Sequence, residues 1–200
     1  MDDINSLIDE IDAITTDPNK GLPEEVFLFA SRITPMVNVD LLIRNENNET
    51  LLTWRGGRYY SPGWHVPGGI VRYKESIYER IQKMALLELG TEVIYEKAPI
   101  LINEVIRSPE RKNRGHFISF LFMCQLSTQA DERLRYSKGE PQNQEWMWHK
   151  KCPADIIPVH LMYKEGLNGE KPLEECTSDF GINRIILYTS KGKEDSMIEK

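Results

Sequence analysis

The residues between Gly63 and Thr91 have types and spacing that suit a metal–diphosphate site. Gly68 and Gly69 follow a proline, and Glu88 lies late in a run that contains no glycine or proline before Gly90. Carboxylate and carbonyl oxygens are the ligands that Mg²⁺ prefers. We expect the glycine turn to need a positive φ before Gly69, which glycine tolerates. The stretch therefore predicts a turn and a helix that together hold a metal on a phosphate.

The elements that must position these residues follow from hydrophobic periodicity and from glycine and proline breaks. Helices are expected over 4–14, over 23–32 with Pro23 at the first helical position, and over 76–89 with Gly90 beyond its end. Strands are expected over 37–43, 50–55, 64–66, 92–95, 100–106, 116–126, 146–149 and 185–189. Strands and helices interleave without strict alternation, which predicts an α/β fold with a mixed sheet covered by helices.

One predicted strand carries an acid that needs an explanation. Val37, Val39, Leu41 and Ile43 would form one face, with Asp40 among the residues of the other. An inward acid in a strand of valines requires a polar partner. Asp40 is therefore a candidate for substrate contact.

Composition limits the possible classes of function. The chain has 200 residues and a net charge of −6, of which residues 1–20 contribute −5 from six acids and one lysine. Such an acidic chain is a poor general binder of nucleic acid. No apolar run is long enough to span a membrane, and the acidic N-terminus lacks the features of a secretory signal. Three cysteines without metal-like spacing argue against a disulfide framework, so we expect a cytoplasmic protein.

The N-terminal segment forms an extension of its own. Its apolar residues fall at helical spacing with acids opposite; they are Ile4, Leu7, Ile8, Ile11 and Ile14. This amphipathic helix either packs on its own domain or exchanges across a dimer. We expect an N-terminal extension over 1–21, a main domain over 22–168 and a C-terminal extension over 169–200.

The pattern GG-x5-E-x7-K-x4-E-x-G resembles the Nudix box, G-x5-E-x7-R-E-U-x-E-E-x-G-U, where U is aliphatic. Gly69, Glu75, Glu88 and Gly90 match the box, and Lys83 replaces its arginine. The resemblance implies that Glu75 and Lys83 tie the loop to its helix as a structural pair. It also implies an α/β/α sandwich of Nudix type and a hydrolase activity.

Two of the box's acids are absent, because Met84 and Leu87 occupy their positions. This loss, with WHVPGG before the helix, resembles the GDP-mannose mannosyl hydrolase branch of Nudix enzymes. Further similar segments are ITPMVNVDLLI, TWRGGRYYSPGW, GHFISFLF, PQNQEWMW and HLMYKEGL, so that roughly residues 25–167 are covered. Positions 84, 87 and 88 lie on one helix face, which keeps a single carboxylate and suits one Mg²⁺.

The branch implies roles for five residues of this sequence. Its single metal is held by a glycine carbonyl, the last glutamate of the box and a late-loop glutamine, which correspond to Gly68, Glu88 and Gln142. Arg55 matches the arginine that neutralises the leaving diphosphate, which an arginine can do through two parallel hydrogen bonds. Asp40 matches a strand aspartate that contacts substrate. Arg55 and Glu88 are thus the expected catalytic residues.

The sequence departs from the branch at its general base, a late-loop histidine that is Asn143 here. A neutral amide does not accept a proton at pH 7, and losing a general base typically costs about 10²–10⁴-fold in rate. His65 lies beside the glycine turn and either approaches the site or faces its neighbours in the strand. The other histidines, His116, His149 and His160, are not in register, and Ile70 replaces a further substrate-contacting arginine.

Two groups of residues keep two interpretations each. A cluster of loop cations either meets phosphates or forms a solvated hairpin tip; its members are Arg107, Arg111, Lys112 and Arg114. Tyr59, Tyr60 and Trp64 stack on a base or anchor the core.

The resemblance implies a Mg²⁺-dependent hydrolase of a nucleoside diphosphate sugar, acting as a homodimer in which water attacks C1 of the sugar. Two alternatives are a Nudix pyrophosphohydrolase in which water attacks phosphorus, and a nucleotide-sugar binding domain without turnover.

Overall fold

The computed structural model describes residues 2–57, 61–106 and 116–172. Its helices are α1 (Asp2–Ile14), α2 (Glu24–Ile33), α3 (Ile77–Leu89) and α4 (Lys164–Leu167). Its strands are β1 (Met36–Ile43), β2 (Thr50–Arg55), β3 (Gly63–His65), β4 (Gly68–Ile70), β5 (Val93–Tyr95), β6 (Leu101–Ile106), β7 (His116–Leu126) and β8 (Trp146–His149). Short 3₁₀ helices lie at Glu132–Leu134 and Pro158–Tyr163.

A five-stranded mixed sheet forms the centre of the fold. β1 is parallel to β7 along its whole length and antiparallel to β4 on its other side. β7 pairs antiparallel with both β6 and β5, which follow each other along its far edge. β1 is therefore an interior strand, and its residues are buried on both faces from Val39 to Ile43.

A second, antiparallel sheet contains three strands in the order β3, β2, β8. In the β2–β3 pair, Thr53 lies opposite His65 and Arg55 opposite Gly63. A Cβ atom at Gly63 would collide with the carbonyl oxygen of Asp155, so glycine permits the following segment to lie against this hairpin. This sheet delivers Thr53, Arg55 and His65 to one side of the molecule.

Two hydrophobic clusters make up the core. The first joins the small sheet to the large one and to the 3₁₀ helix that ends at Tyr163. Its members include Leu52, Trp64, Leu101, Leu121 and Tyr163. The second packs the inner face of α3 against the central sheet; its helical members are Ile81, Met84, Ala85 and Leu89. Burial of these apolar side chains fixes the position of α3 over β1.

The start and the end of α3 are both specified locally. Ser76 accepts a hydrogen bond from the amide of Glu79, and the Glu79 carboxylate accepts one from the amide of Ser76, which makes a capping box. Gly90 ends the helix with φ of +70°, a left-handed conformation that favours glycine. The predicted helix over 76–89 and its glycine cap are confirmed.

The fold class is confirmed, with several differences in detail. The expected single sheet is two sheets, because β2, β3 and β8 form a ladder that none of the other described strands joins. The face of β1 that carries Asp40 is buried as well as the valine face, because β1 is an interior strand. Pro23 precedes the first residue of α2 and lies at its N-cap position. The strand expected at 185–189 lies outside the described residues, and the two boundaries between the three expected segments stay a prediction.

The N-terminal helix is present, but its apolar side chains do not pack on the domain. Ile4, Leu7, Ile8 and Ile14 are each at least half exposed, and Ile11 is 37% exposed. Within the described ranges, no helix is long and apolar enough to cross a membrane.

His149 on β8 should make stability depend on pH. Its ring lies 4.7 Å from that of Trp64, and burial lowers its pKa from 6.5 to about 4. The unfolded chain then binds this proton first, so stability falls as the pH drops from 6.5 to about 4. We expect the free energy of unfolding of His149→Phe, measured with urea at pH 7, 5.5 and 4, to lack the fall that His149 causes in the wild type. The same pH dependence in wild type and variant would contradict the assignment.

Candidate active site

Glu88 is a buried carboxylate surrounded by donors. Its residue is 6% exposed, and Oε2 accepts a hydrogen bond of 2.6 Å from the Thr53 hydroxyl. Oε1 lies 3.3 Å from the amide nitrogen of Gly68 and 3.9 Å from Nη2 of Arg55. Nε2 of His65 lies 3.2 Å from Oε2. The structure thus brings Glu88, Gly68 and Arg55 together.

The surroundings keep this buried carboxylate charged. Burial by itself would raise the pKa of Glu88, because it disfavours the charged form. The effects of His65, Arg55 and the Thr53 hydroxyl outweigh burial and hold the pKa below its ordinary value. Glu88 is therefore available as an anionic ligand at neutral pH.

The glycines are required for close contact and not for a left-handed backbone. A Cβ atom at Gly68 would collide with the carbonyl oxygen of Val39 and lie 2.8 Å from Oδ1 of Asp40. A Cβ atom at Gly69 would lie 2.7 Å from the sulfur of Met84. Neither glycine has a φ in the left-handed region, so the expected positive φ is wrong. The physical reason is that β4 pairs directly with β1 here.

Glu75 ties the loop after β4 to α3. Its carboxylate lies 2.9 Å from Nζ of Lys83 and 2.5 Å from Nη2 of Arg80, whose Nε donates a further bond of 2.7 Å. It also accepts a bond of 2.9 Å from the amide of Arg72. The box resemblance pairs Glu75 with Lys83 and gives no role to Arg80, which is buried and makes the closer contact.

Asp40 lies in a buried polar cluster beside Gly68. Its Oδ2 accepts hydrogen bonds from Ser119 at 2.6 Å and Tyr163 at 2.8 Å, and Oδ1 accepts one from Asn38 at 2.9 Å. Nε2 of His160 lies 3.8 Å from Oδ1. Burial raises the pKa of Asp40, and the three hydrogen bonds only partly offset that effect. The cluster can donate hydrogen bonds to a polar ligand and accept hydrogen bonds from it.

A cavity of about 920 Å³ joins these groups, within the range of about 300–1,000 Å³ typical of small-molecule sites. Its polar and charged lining includes Asn38, Asp40, Arg55, His65, Arg72, Ser119, Asn143 and His160. Its apolar lining includes Leu22, Phe27, Met84, Leu87 and Met162. Glu88 lies directly behind His65 and Gly68, which form part of the wall.

Gln142 is not brought to Glu88 in this conformation. Its side-chain amide donates to the carbonyl of Glu140 at 3.0 Å on the exposed side of the loop. The neighbouring Asn143 lines the cavity instead, and its Oδ1 accepts a bond of 3.0 Å from the amide of Gly56. A role for Gln142 as a metal ligand would need its side chain to rotate.

No motif in the sequence indicates Thr53, and the sequence alone is compatible with two positions of His65. Both residues lie on one side of the β2–β3 hairpin and contact Glu88. An antiparallel pairing of these two strands with 53 opposite 65 places both residues beside Arg55. Trp64 is buried in the core with its ring 5.3 Å from that of Trp54, which favours the anchor interpretation. Tyr59, Tyr60, Arg107, Arg111, Lys112 and Arg114 lie outside the described residues.

The donor set fits one hard cation. Among the described residues, no group of three His, Cys, Asp or Glu side chains is arranged to hold a metal. Met84 and Leu87 leave α3 with the Glu88 carboxylate on this face, next to the backbone of Gly68. Carboxylate and carbonyl oxygens suit Mg²⁺, which commonly completes its shell with water and substrate phosphates. The fit is to one ion with substrate ligands.

Comparison with known proteins establishes the family. The model of the NUDIX domain matches residues 34–157, which is more than half of the chain. The chain belongs to the NUDIX family, as the box residues predict, and its domain is of the hydrolase class. Nudix hydrolases generally use a divalent metal such as Mg²⁺ and act on small molecules.

Individual relatives are distant. The low-salt glycan biosynthesis protein Agl8 of Haloferax volcanii is 33% identical over 79 residues, 40% of this chain and 50% of that protein. The chain therefore spans about half the length of this curated relative. The MutT NUDIX hydrolase of Burkholderia pseudomallei shares the fold with a TM-score of 0.51 and 16% identity, over 66% of this chain and 97% of its own. A MutT protein of Methanosarcina mazei Go1 matches with a TM-score of 0.43 and 23% identity, over 58% and 78% of the two chains.

Glu75→Gln should destabilise the protein strongly. The substitution keeps the shape but leaves the buried Arg80, with a side chain 6% exposed, without its counter-charge. Breaking a buried ion pair costs roughly 3 kcal/mol or more. The matched control is Lys83→Ala, whose side chain is 58% exposed and whose loss should cost less than about 1 kcal/mol. Equal losses in the two variants in urea unfolding would contradict this ranking.

Proposed function

We propose that this protein is a Mg²⁺-dependent Nudix hydrolase of a nucleoside diphosphate sugar, similar to GDP-mannose mannosyl hydrolases, which releases nucleoside diphosphate and free sugar. The observation that carries the proposal is the buried carboxylate of Glu88, which lies beside Arg55 and directly behind Gly68 and His65 of the cavity wall. A site with one anion on this face suits a substrate that supplies the remaining metal ligands through its own diphosphate.

Gly68, Glu88 and Gln142 are the proposed metal ligands. When bound, the ion would neutralise charge on the diphosphate and favour its departure. Glu88 supplies the charged oxygen, Gly68 its carbonyl and Gln142 its amide oxygen after the side chain turns away from Glu140. The Thr53 hydroxyl and the Gly68 amide keep the carboxylate oriented.

Arg55 and Asp40 are the proposed substrate contacts. The Arg55 guanidinium lies 3.9 Å from Glu88 and its side chain is 41% exposed, so it reaches the cavity beside the metal ligands. It would donate two hydrogen bonds to phosphate oxygens as the leaving diphosphate gains charge. Asp40 and its cluster would hold the sugar hydroxyls, because a carboxyl with several hydrogen-bonding neighbours recognises polar groups.

The rival position of attack is phosphorus, and one observation favours it. Asn143 lies at the expected position of the general base and lines the cavity, but its amide cannot act as a base. Attack at C1 without that base would be slower by about 10²–10⁴-fold. The two reactions have different products, so they can be separated directly.

Product analysis by ³¹P NMR tests the proposal. The protein is incubated with Mg²⁺ and a panel of nucleotide sugars that includes GDP-mannose and UDP-glucose. We expect nucleoside diphosphate and free sugar, because attack at carbon keeps the diphosphate intact. Nucleoside monophosphate and sugar phosphate would instead show attack at phosphorus, and binding without turnover across the panel would refute an enzyme of this class.

Glu88→Gln should abolish the metal-dependent turnover found in that panel, with a loss of at least about 10²-fold. The substitution removes the carboxylate that α3 places beside Gly68, while it keeps the side-chain shape. Glu92→Gln, a change beyond the helix end, is the matched control and should leave the rate unchanged. Full activity of the Glu88 variant with normal folding would contradict the metal assignment.

We also propose that the protein is a cytoplasmic homodimer and that α1 packs on a second copy of the chain. The support is the row of exposed apolar residues on α1 and the exposed Phe29 and Ile33 of α2. Exposed apolar surface of this kind marks an interaction site. The proposed cytoplasmic location rests on the number and spacing of the cysteines, which argue against a disulfide framework.

Light scattering tests the proposed role of α1. We expect twice the chain mass for the full-length protein and one chain mass for a protein that begins at Leu22. Ile8→Lys should also dissociate the dimer, whereas Asp9→Lys, on the polar face, should not. A dimer that survives both the truncation and Ile8→Lys would show that α1 does not form the interface.

A further inference from the structure

We propose that His65 is a positioning residue that holds Arg55 over the metal–diphosphate site. The inference rests on the proposed function, because Arg55 is assigned there to the diphosphate. It concerns a residue that the branch resemblance does not assign, and it follows from the hydrogen bonds around one buried imidazole ring.

The hydrogen bonds of His65 give its two ring nitrogens different roles. Nδ1 lies 2.7 Å from the carbonyl oxygen of Thr53, which can only accept, so Nδ1 carries a proton. Nε2 lies 2.9 Å from Nη2 of Arg55, which can only donate, so Nε2 carries none. The ring therefore accepts a hydrogen bond from the guanidinium on one side and is anchored to the backbone on the other.

The alternative arrangement is disfavoured by the same geometry. A proton on Nε2 could point to Oε2 of Glu88 at 3.2 Å, but it would then face the Arg55 donor 2.9 Å away. Two donors at that distance repel each other. Glu88 already receives a shorter bond of 2.6 Å from Thr53 and does not depend on His65 for a donor.

The hairpin makes this arrangement rigid. Thr53 and Arg55 are two residues apart on β2 and so point to the same side, where Thr53 lies opposite His65 on β3. His65 is 3% exposed, whereas the Arg55 side chain is 41% exposed. A buried acceptor thus fixes the direction of a long, solvent-facing side chain. Prior orientation of the guanidinium reduces the ordering cost of binding a phosphate.

A double-mutant cycle separates positioning from general stability. The variants are His65→Leu, His65→Gln, Arg55→Ala and Arg55→Ala with His65→Leu, and the readout is the affinity for inorganic pyrophosphate with Mg²⁺ by calorimetry. We expect His65→Leu to weaken binding about tenfold, as the loss of one oriented hydrogen bond would. In the Arg55→Ala background the same change should cost less than twofold, because its target is gone. His65→Gln, whose amide can both accept and donate, should recover part of the loss.

One control variant and two contrary results complete this test. His116→Gln, which replaces a histidine bonded to Glu104 on β6, should bind pyrophosphate like the wild type. Equal losses from His65→Leu with and without Arg55 would overturn the inference, since they would show a structural effect. A normal affinity in His65→Leu would overturn it as well.

The outcome for His65 is distinguishable from that for the proposed function. Pyrophosphate that binds with the expected coupling, in a protein that hydrolyses no nucleotide sugar, would support the positioning role and refute the substrate class. A wild type that does not bind pyrophosphate would refute both.

Discussion

The structure depends on a carboxylate that is buried and charged. Glu88 is on the inner side of α3, where desolvation opposes its ionisation, and it remains anionic because other elements bring donors to it. The β2 strand contributes the Thr53 hydroxyl and the Arg55 cation, and β4 contributes the amide of Gly68. Removal of any of these elements would weaken the compensation of this buried charge. The packing of the fold and the geometry of the site therefore depend on each other.

The same requirement explains why β4 begins with glycine. Gly68 lies opposite Asp40 on β1, and the backbone of β1 occupies the space that a side chain would need. This close approach places the buried carboxyl of Asp40 and the buried carboxylate of Glu88 on two sides of one short strand. Their pKa values shift in opposite directions: burial prevails at Asp40 and raises its pKa, whereas the charged and hydrogen-bonding neighbours of Glu88 outweigh burial and lower its pKa. Two acids of one cavity can thereby take different roles.

Local patterns predicted much of this arrangement. The bounds of β2 follow from its composition, and the ends of α3 follow from Ser76, Glu79 and Gly90, because caps and turns depend on adjacent residues. The family follows from the box spacing, since that spacing is set by one loop and one helix. The Met84 and Leu87 positions also indicate in advance that α3 bears one carboxylate on this face.

Contacts between distant elements were harder to predict. Arg80 lies between the matched box positions and is recognised as an anchor of Glu75 only when the turn before α3 is known. Whether His65 reaches Glu88 depends on the register of a hairpin whose connecting residues carry no decisive turn motif. The orientation of Gln142 is set by a hydrogen bond within its own loop, which residue type alone does not specify.

The number of metal ions per chain tests most directly whether Glu88 organises a one-metal site. Mn²⁺ can replace Mg²⁺ and is counted by electron paramagnetic resonance during a titration with a nucleoside diphosphate present. We expect one bound ion per wild-type chain and a loss of that ion in Glu88→Gln, with the fold retained by circular dichroism. Two or more tightly bound ions, or the same single ion in the variant, would contradict the account.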